Sequence, residues 1–324
     1  MSEKLLEIRD LSVHFNTFEG VARVLDGVCL TLYEGEVLGL IGESGSGKTV
    51  TGLTVLRLLP ISAKVVSGSV YFHDDNLLVL PEYKLRDIRG GRISLVFQEP
   101  GTSLNPVAKV GDQLMDVLKL HQQIGDNNAV RAKAMELLEA VNMPRPSLVM
   151  SQYPHQLSAG MQQRVAIAMA IASNPDLLIA DEPTSSLDVT VGKRILELMI
   201  YLKEKRTISS LLFITHSFGI ISEICDRVAA MYAGNIVEYG DVYTMLHKCC
   251  HPYTKGLINS VLDIDKKRSE LKPMKGTIPR LINPPSGCGF HPRCPERMDK
   301  CPVEKPNLNP IAKNHFVACH AYEK

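Results

Sequence analysis

The sequence predicts an α/β fold, a parallel sheet covered by helices on both faces, and three observations predict it. Gly42-Glu43-Ser44-Gly45-Ser46-Gly47-Lys48-Thr49 follows a strand-like apolar run, Glu36–Ile41, and precedes a helix-like run, Val50–Leu59. Leu177–Ala180 and Leu211–Ile214 are short, wholly apolar runs of the kind that form buried parallel strands. Between them lies a helical run, Val189–Lys205, so strand and helix alternate. The glycine loop also implies a ligand. Its glycines let backbone N–H groups turn inward around phosphate oxygens at the positive end of the following helix. Lys48 is placed to reach the β- and γ-phosphates, and the Thr49 hydroxyl to ligate Mg²⁺. A plain Gly/Ser-rich turn does not require all eight positions and both flanks, so a nucleoside triphosphate site is expected.

Composition sets the outer limits. At 324 residues the chain suggests one large domain with an appendage, or two domains. Its hydrophobic share of 45% excludes general disorder. The formal net charge of +1 offers no basic patch of the sort that reads nucleic acid, and no nucleic-acid partner is expected. The charge is uneven, +6 over residues 264–324 and −5 before them, which reads as a solvated basic surface. No apolar run approaches the ~20 residues that span a bilayer. Met1-Ser2-Glu3-Lys4 leads into a strand-like segment without a secretory pattern, so a cytoplasmic protein is expected, with any membrane role exercised through partners.

Taken in order, Leu5–Arg9 and Val28–Leu32 read as strands, with an aromatic-bearing loop, Phe15 to Phe18, between them. Ser69–Phe72 and Ile93–Phe97 are further strands. From Gly111 to Val141 the apolar period turns helical, and Pro144, Pro146 and Pro154 close that region. A long helix is expected from Ser158, its cap, to about Ser173. Residues 99–165 therefore read as a helical insertion into the α/β core. After about residue 263 the pattern fades, and nine prolines fall between Pro273 and Pro310. The expected division is a domain over 1–263 and an irregular, cysteine-rich one over 264–324, which at that size needs a staple.

Asp181-Glu182 ends the buried run Leu177–Ala180. A carboxylate there suits Mg²⁺ opposite Thr49, and its neighbour suits orienting and deprotonating an attacking water. Asp181 is assigned to the metal and Glu182 to the base. Leu157-Ser158-Ala159-Gly160-Met161-Gln162-Gln163-Arg164 lies just upstream. Here the chain resembles the ATP-binding subunit of ABC transporters, whose fold joins a RecA-like sheet to an N-terminal antiparallel β subdomain. Residues 157–164 resemble the family's signature motif, Gln98 its Q-loop, Ser186-Leu187-Asp188 its D-loop and His216 its switch histidine. The resemblance implies that His216 contacts the γ-phosphate and that Gln98 senses Mg²⁺ and the attacking water. It also implies that Ser158, Gly160 and Gln162 of the signature meet ATP bound by an opposite subunit, and that Asp188 takes part in nucleotide binding. Ser158 opens a helix whose free N–H groups suit a phosphate on physical grounds too. The family prefers Gly where Ala159 stands, and a methyl group there is strained if that residue needs positive φ. Phe15 is the expected adenine-stacking residue, with Phe18 and Val21 as rivals and a core role as the alternative.

Phe97–Pro100 with Thr102–Pro106, Tyr153–Ser158, and the tail Asn283–Cys288 with His291–Pro295 are similar to the oligopeptide/dipeptide permease branch, also associated with nickel uptake. That resemblance implies a motor subunit of a peptide importer, peripheral on the cytoplasmic face of the cell membrane. Its expected partners are a second ATP-binding subunit, two transmembrane permease subunits and, indirectly, an extracytoplasmic substrate-binding protein. The rival is a non-transport ABC ATPase of DNA repair or translation. That class carries long coiled coils or two cassettes in one chain, and neither is present. A binding module without hydrolysis is opposed by Glu182 and His216.

Cys288, Cys294, Cys301 and Cys319 cluster in the tail. Disulfides do not suit a reducing cytosol. Tetrahedral zinc lacks its usual short C-x₂₋₄-C pairs, and four thiolates also suit a [4Fe–4S] cluster. Unligated thiols are the third reading, and His291, His315 and His320 are further candidate ligands for zinc. The tail resembles that of peptide-importer ATPases thought to carry such a cluster, which favours iron–sulfur in a structural role. Cys29 and Cys225 read as buried apolar residues.

Overall fold

Two long strands, β1 (Lys4–Thr17) and β2 (Gly20–Tyr33), open the chain as an antiparallel hairpin. In the computed structural model the structure describes residues 3–122, 125–259 and 274–323. It divides into two units, Met1–Leu80 with Phe213–Lys324, and Pro81–Leu212. The expected boundary at 263/264 lies outside the described residues.

The first unit holds two sheets. In one, β1 lies between β2 and β4 (Ala63–Phe72), and β4 pairs in turn with β5 (Asp75–Asn76), all antiparallel. Alternation buries Leu6, Ile8, Leu11 and Val13 of β1 and Leu25, Val28, Leu30 and Leu32 of β2. The strands run well past the expected Leu5–Arg9 and Val28–Leu32, because shifts of register interrupt the alternation without ending the pairing. Phe15 consequently sits within β1, paired with Ala22 and Ala63, and the loop shrinks to a turn around Phe18 and Glu19. Cys29 is a second correction: it is exposed, because Val28 and Leu30 on either side take the inward positions.

In the other sheet β3 (Val37–Ile41), buried throughout, pairs in parallel with β9 (Arg227–Tyr232). β9 turns through Ala233-Gly234 into antiparallel β10 (Asn235–Asp241). On the far edge of β10 lies β12 (His315–Val317), itself in a hairpin with β11 (Asn309–Ala312). The tail thus supplies strands to the core sheet. Helix α1 (Lys48–Val55) follows β3, and α9 (Phe218–Ile224), α10 (Val242–His247) and α11 (Pro252–Asn259) complete the unit. Helix α1 stops short of the expected Leu59, since Arg57 adopts a left-handed φ of 51°. Strand β8 (Ser210–Thr215), buried at every residue, spans the division between the units.

The second unit carries β6 (Ile93–Val96) and β7 (Leu177–Asp181), paired in parallel as Ile93↔Leu177 through Val96↔Ala180. Its helices are α2 (Glu82–Ile88), α3 (Pro100–Ser103), α4 (Val110–Gln122), α5 (Asn127–Ala140), α6 (Pro146–Val149), α7 (Ala159–Ile171) and α8 (Val189–Glu204). The helical region expected over 111–141 comprises two helices. Asp126 starts the second as an N-cap, its carboxylate accepting from the backbone N–H of Asn128 and Ala129. Leu114, Leu118, Val130, Ala134 and Leu138 of α4 and α5 are fully buried, as are Val165, Ile167, Ala168 and Ile171 of α7.

Candidate active site

In the first unit the glycine loop leaves the end of β3. Gly42 approaches the backbone of β9 so closely that a Cβ would sit 2.2 Å from the Met231 carbonyl oxygen. Gly47, the N-cap of α1, has φ of 108°, and a Cβ there would fall 2.7 Å from Leu25. These two positions leave no room for a Cβ, so the loop backbone packs directly on β9 and β2. Lys48 is buried and donates Nζ to the carbonyl oxygens of Gly42 at 2.8 Å and Glu43 at 3.1 Å, across the loop. The Ser46 hydroxyl is buried without a hydrogen-bond partner. Ser44, Gly45 and Thr49 are exposed at the mouth. A glycine loop with a lysine and an unpartnered hydroxyl fits phosphate oxygens. His216, exposed, leaves the end of β8.

In the second unit Asp181 is the buried last residue of β7. Glu182 follows with φ of 45°, a left-handed conformation that costs a non-glycine residue about 1–3 kcal/mol. Gln98 leaves β6 exposed, and its carbonyl accepts from the Ser186 hydroxyl at 3.2 Å, which ties the Gln98 segment to the one ending in Asp188. Asp188 caps α8, its carboxylate accepting from Val191 N–H at 3.0 Å. Ser158 caps α7 as expected, with Oγ accepting from Met161 N–H. Ala159 is the first helical residue and has no positive φ, so its methyl group meets no backbone strain. Gly160 packs on the start of α8, where a Cβ would lie 2.5 Å from Val191. Gln162 turns inward, donating Nε2 to the carbonyl of Pro154 at 2.8 Å.

In the tail all four cysteines are free thiols. The Cys288 N–H donates to the Cys301 carbonyl at 2.8 Å. Burial pushes the Cys288 thiol up to about 11, with the Cys301, Cys319 and Cys294 thiols adding to the rise. Burial also raises Cys294 and Cys319, and the neighbouring thiols again contribute. The four therefore share one electrostatic neighbourhood. Among the described residues no three of their sulfurs lie within 4.8 Å of one another.

The other histidines of the tail are engaged elsewhere. His291 Nδ1 bonds the Cys288 carbonyl at 2.9 Å and His320 Nε2 the Glu304 carbonyl at 2.8 Å. His315 Nε2 donates to the buried Glu238 carboxylate at 2.8 Å, which also accepts from the backbone N–H of Cys250 at 2.6 Å and His251 at 3.1 Å. Glu238, Cys250 and His315 bring metal-ligating atoms within 4.8 Å, but these hydrogen bonds already satisfy the carboxylate.

Residues 25–185 match the family model described as ABC transporter, and residues 237–301 match that of the oligopeptide/dipeptide transporter C-terminal region. A probable peptide ABC transporter ATP-binding protein from Sinorhizobium fredii is 45% identical over 320 residues, covering 98% of this chain and 95% of that protein. The chain belongs to the ABC transporter ATP-binding family. It is an ATPase of that family, in the branch that carries this C-terminal region. The dipeptide transport ATP-binding protein DppD of Bacillus subtilis is 44% identical, covering 98% of this chain and 94% of that protein. The dimeric ATP-binding cassette MJ0796, in a post-hydrolysis state bound to ADP and phosphate, superposes with a TM-score of 0.65 at 26% identity, covering 73% of this chain and 98% of that one.

Within this ABC ATPase, sequence reasoning missed the surroundings of Glu43. Its N–H donates to Tyr253 Oη at 2.9 Å, and its carboxylate accepts two bonds from Arg293. Neither partner is legible locally, because they lie 210 and 250 residues away. Among the described residues no helix is long and apolar enough to cross a membrane.

Proposed function

We propose that this ATPase is the motor subunit of an importer for dipeptides or oligopeptides, and that it works as a dimer with a copy of itself or a related chain. The observation that carries the ATP reading is the glycine loop Gly42–Lys48, whose Gly42 and Gly47 pack too closely on their neighbours for a Cβ, with the buried Lys48 ammonium across it and the Ser46 hydroxyl without a partner. The peptide reading is supported by near full-length likeness to peptide-transport ATP-binding proteins. On this reading Thr49, Gln98 and Asp181 hold Mg²⁺, which neutralises charge on the β- and γ-phosphates. Glu182 takes the proton of the attacking water, Gln98 orients that water, and His216 bonds the γ-phosphate. Gly42, Ser44, Gly45, Ser46, Gly47 and Lys48 grip the phosphates, and Phe15 stacks on adenine. Ser158, Gly160, Gln162 and Asp188 face ATP held by the second subunit. There α7 offers phosphate its N-terminal N–H groups, while Gln162, bonded to Pro154, acts by holding the segment before α7. Closure of the dimer pulls on two membrane permease subunits through the segment Gln98–Asn105, at the cytoplasmic face. A substrate-binding protein outside selects the cargo.

We propose further that Cys288, Cys294, Cys301 and Cys319, within residues 264–324, hold a [4Fe–4S] cluster with a structural role. Tetrahedral zinc at a Zn–S distance of ~2.3 Å needs its sulfurs roughly 3.8 Å apart. The sulfurs do not form so close a group, and four thiolates are the ligand set of a cluster, in which each binds a different iron. The test of the enzymatic reading is Glu182→Gln. ATPase turnover should fall by about 10²–10⁴-fold with nucleotide binding retained and a closed dimer trapped by ATP. Turnover at the wild-type rate would remove Glu182 from the role of base.

A further inference from the structure

All three polar groups of Glu43 are engaged. Its N–H donates to Tyr253, its carbonyl accepts from Lys48, and its carboxylate is held by Arg293 at 2.7 Å (Nη1) and 3.1 Å (Nη2). The Arg293 side chain is 5% exposed and that of Glu43 is 28%. The guanidinium is itself fixed. Its Nε donates to the Lys275 carbonyl at 3.0 Å, its Nη1 reaches Tyr232 Oη at 3.4 Å, and it lies 5.7 Å from the Tyr232 ring centre and 6.0 Å from that of Phe290. Phe290 packs in turn against Tyr232, Tyr253 and His251.

Arg293 stands in the turn that joins two of the tail's four thiols. Arg293 N–H donates to the Phe290 carbonyl, and Cys294 N–H to that of His291. One short segment therefore sets both Cys288–Cys294 and the clamp on Glu43. The clamp matters for ligand binding because Lys48 now spends its Nζ on the carbonyls of Gly42 and Glu43. When Lys48 turns to a phosphate, those carbonyls lose it, and residue 43 keeps its place by Tyr253, by Arg293 and by the Ser46 N–H, which donates to its carbonyl at 3.2 Å. Arg presents a rigid fork that matches a carboxylate in two bonds, which fixes orientation as well as position.

We propose that Arg293 is a positioning residue for the nucleotide loop, and that through its pairing with Glu43 the Cys288–Cys294 turn sets nucleotide affinity. The competing role is a staple that merely fastens the tail. The inference rests on the glycine loop binding nucleotide, so wild-type binding of MgADP, which is not consumed, is measured first and separates failure of that reading from failure of this one. Full-length Arg293→Ala, Arg293→Lys, Glu43→Gln and the double variant Glu43→Gln/Arg293→Ala are then compared. The expected result is about 10-fold weaker MgADP binding in Arg293→Ala and in Glu43→Gln, the size of an ordinary coupling between linked sites. The double variant is no weaker than either single one, and Arg293→Lys recovers part of the loss. The KM for ATP rises in step while kcat stays within about twofold. On the iron–sulfur reading Cys294→Ser removes a cluster ligand from the turn, and it then weakens MgADP binding in the wild-type background and adds nothing in Glu43→Gln. Unchanged affinity with a lowered melting temperature makes the pair a staple only, and strictly additive losses mean the two residues act separately; either overturns the proposal. If Arg293→Ala fails to fold, Glu43→Gln, which keeps shape and removes charge, carries the same test.

Discussion

Acidification should unfold this protein through His251, and the structure gives the size of the effect. The His251 ring is 1% exposed and its Nδ1 accepts from the Tyr253 N–H at 3.0 Å, which requires the neutral ring. Burial, with a smaller contribution from Lys255, pushes its titration down to about 3. In the unfolded chain a histidine titrates near ~6.5. The unfolded chain therefore takes up the proton first. Its neutral state contributes full stability above about pH 6.5, and that contribution is lost as pH falls toward about 3. Each pH unit in that window costs about 1.4 kcal/mol, so moving from pH 7 to pH 5 removes about 2 kcal/mol. His251→Asn keeps an acceptor for the Tyr253 N–H and cannot titrate. Urea unfolding of both proteins at pH 7, 6 and 5, at unchanged m-value, should give a midpoint that falls more steeply in the wild type. Equal slopes would refute the assignment, since carboxylates common to both proteins would then account for the whole acid response.

Two other outcomes follow from buried contacts. Arg227 pairs with Glu36, itself 8% exposed, and lies 4.8 Å from the ring centres of both Tyr33 and Tyr239. Arg227→Ala strands that carboxylate and should cost about 3–5 kcal/mol by chemical denaturation, and Arg227→Lys should recover only part, because a flexible ammonium cannot replace a stacked fork. On the iron–sulfur reading, protein purified without oxygen should carry about four iron and four sulfide per chain, and Cys294→Ser should lose most of both. One zinc per chain and no visible colour would replace that reading.

Much of the backbone around the candidate site was legible because it is local. Gly42–Thr49 announces itself within eight consecutive residues, and the buried strands ending at Asp181 and before His216 are unbroken apolar runs that tolerate one interpretation. Ser158 was readable as a cap from its place before an apolar helix, and so it proved. The N-terminal sheet was read short, since shifts of register at Ile8–Val13 break the two-residue period by which a strand is recognised. Cys29 was misread because residue type says nothing about which face of a strand it takes. The clamps are a different matter. Glu238 meets His315 across 77 residues and Glu43 meets Arg293 across 250, and a single charged residue carries no mark of a partner so far along the chain.

If Glu182 is the base proposed above, its left-handed turn sets stability and catalysis against each other. Were persistence of the fold the sole criterion, the residue after Asp181 would be glycine, which adopts that conformation freely. The chain keeps a carboxylate there instead, at a local cost, so its ATPase core is less stable than its own backbone allows. On that role, screens that rank variants of this protein by thermal tolerance alone would favour loss of the proposed base and select a firmer protein that turns over slowly.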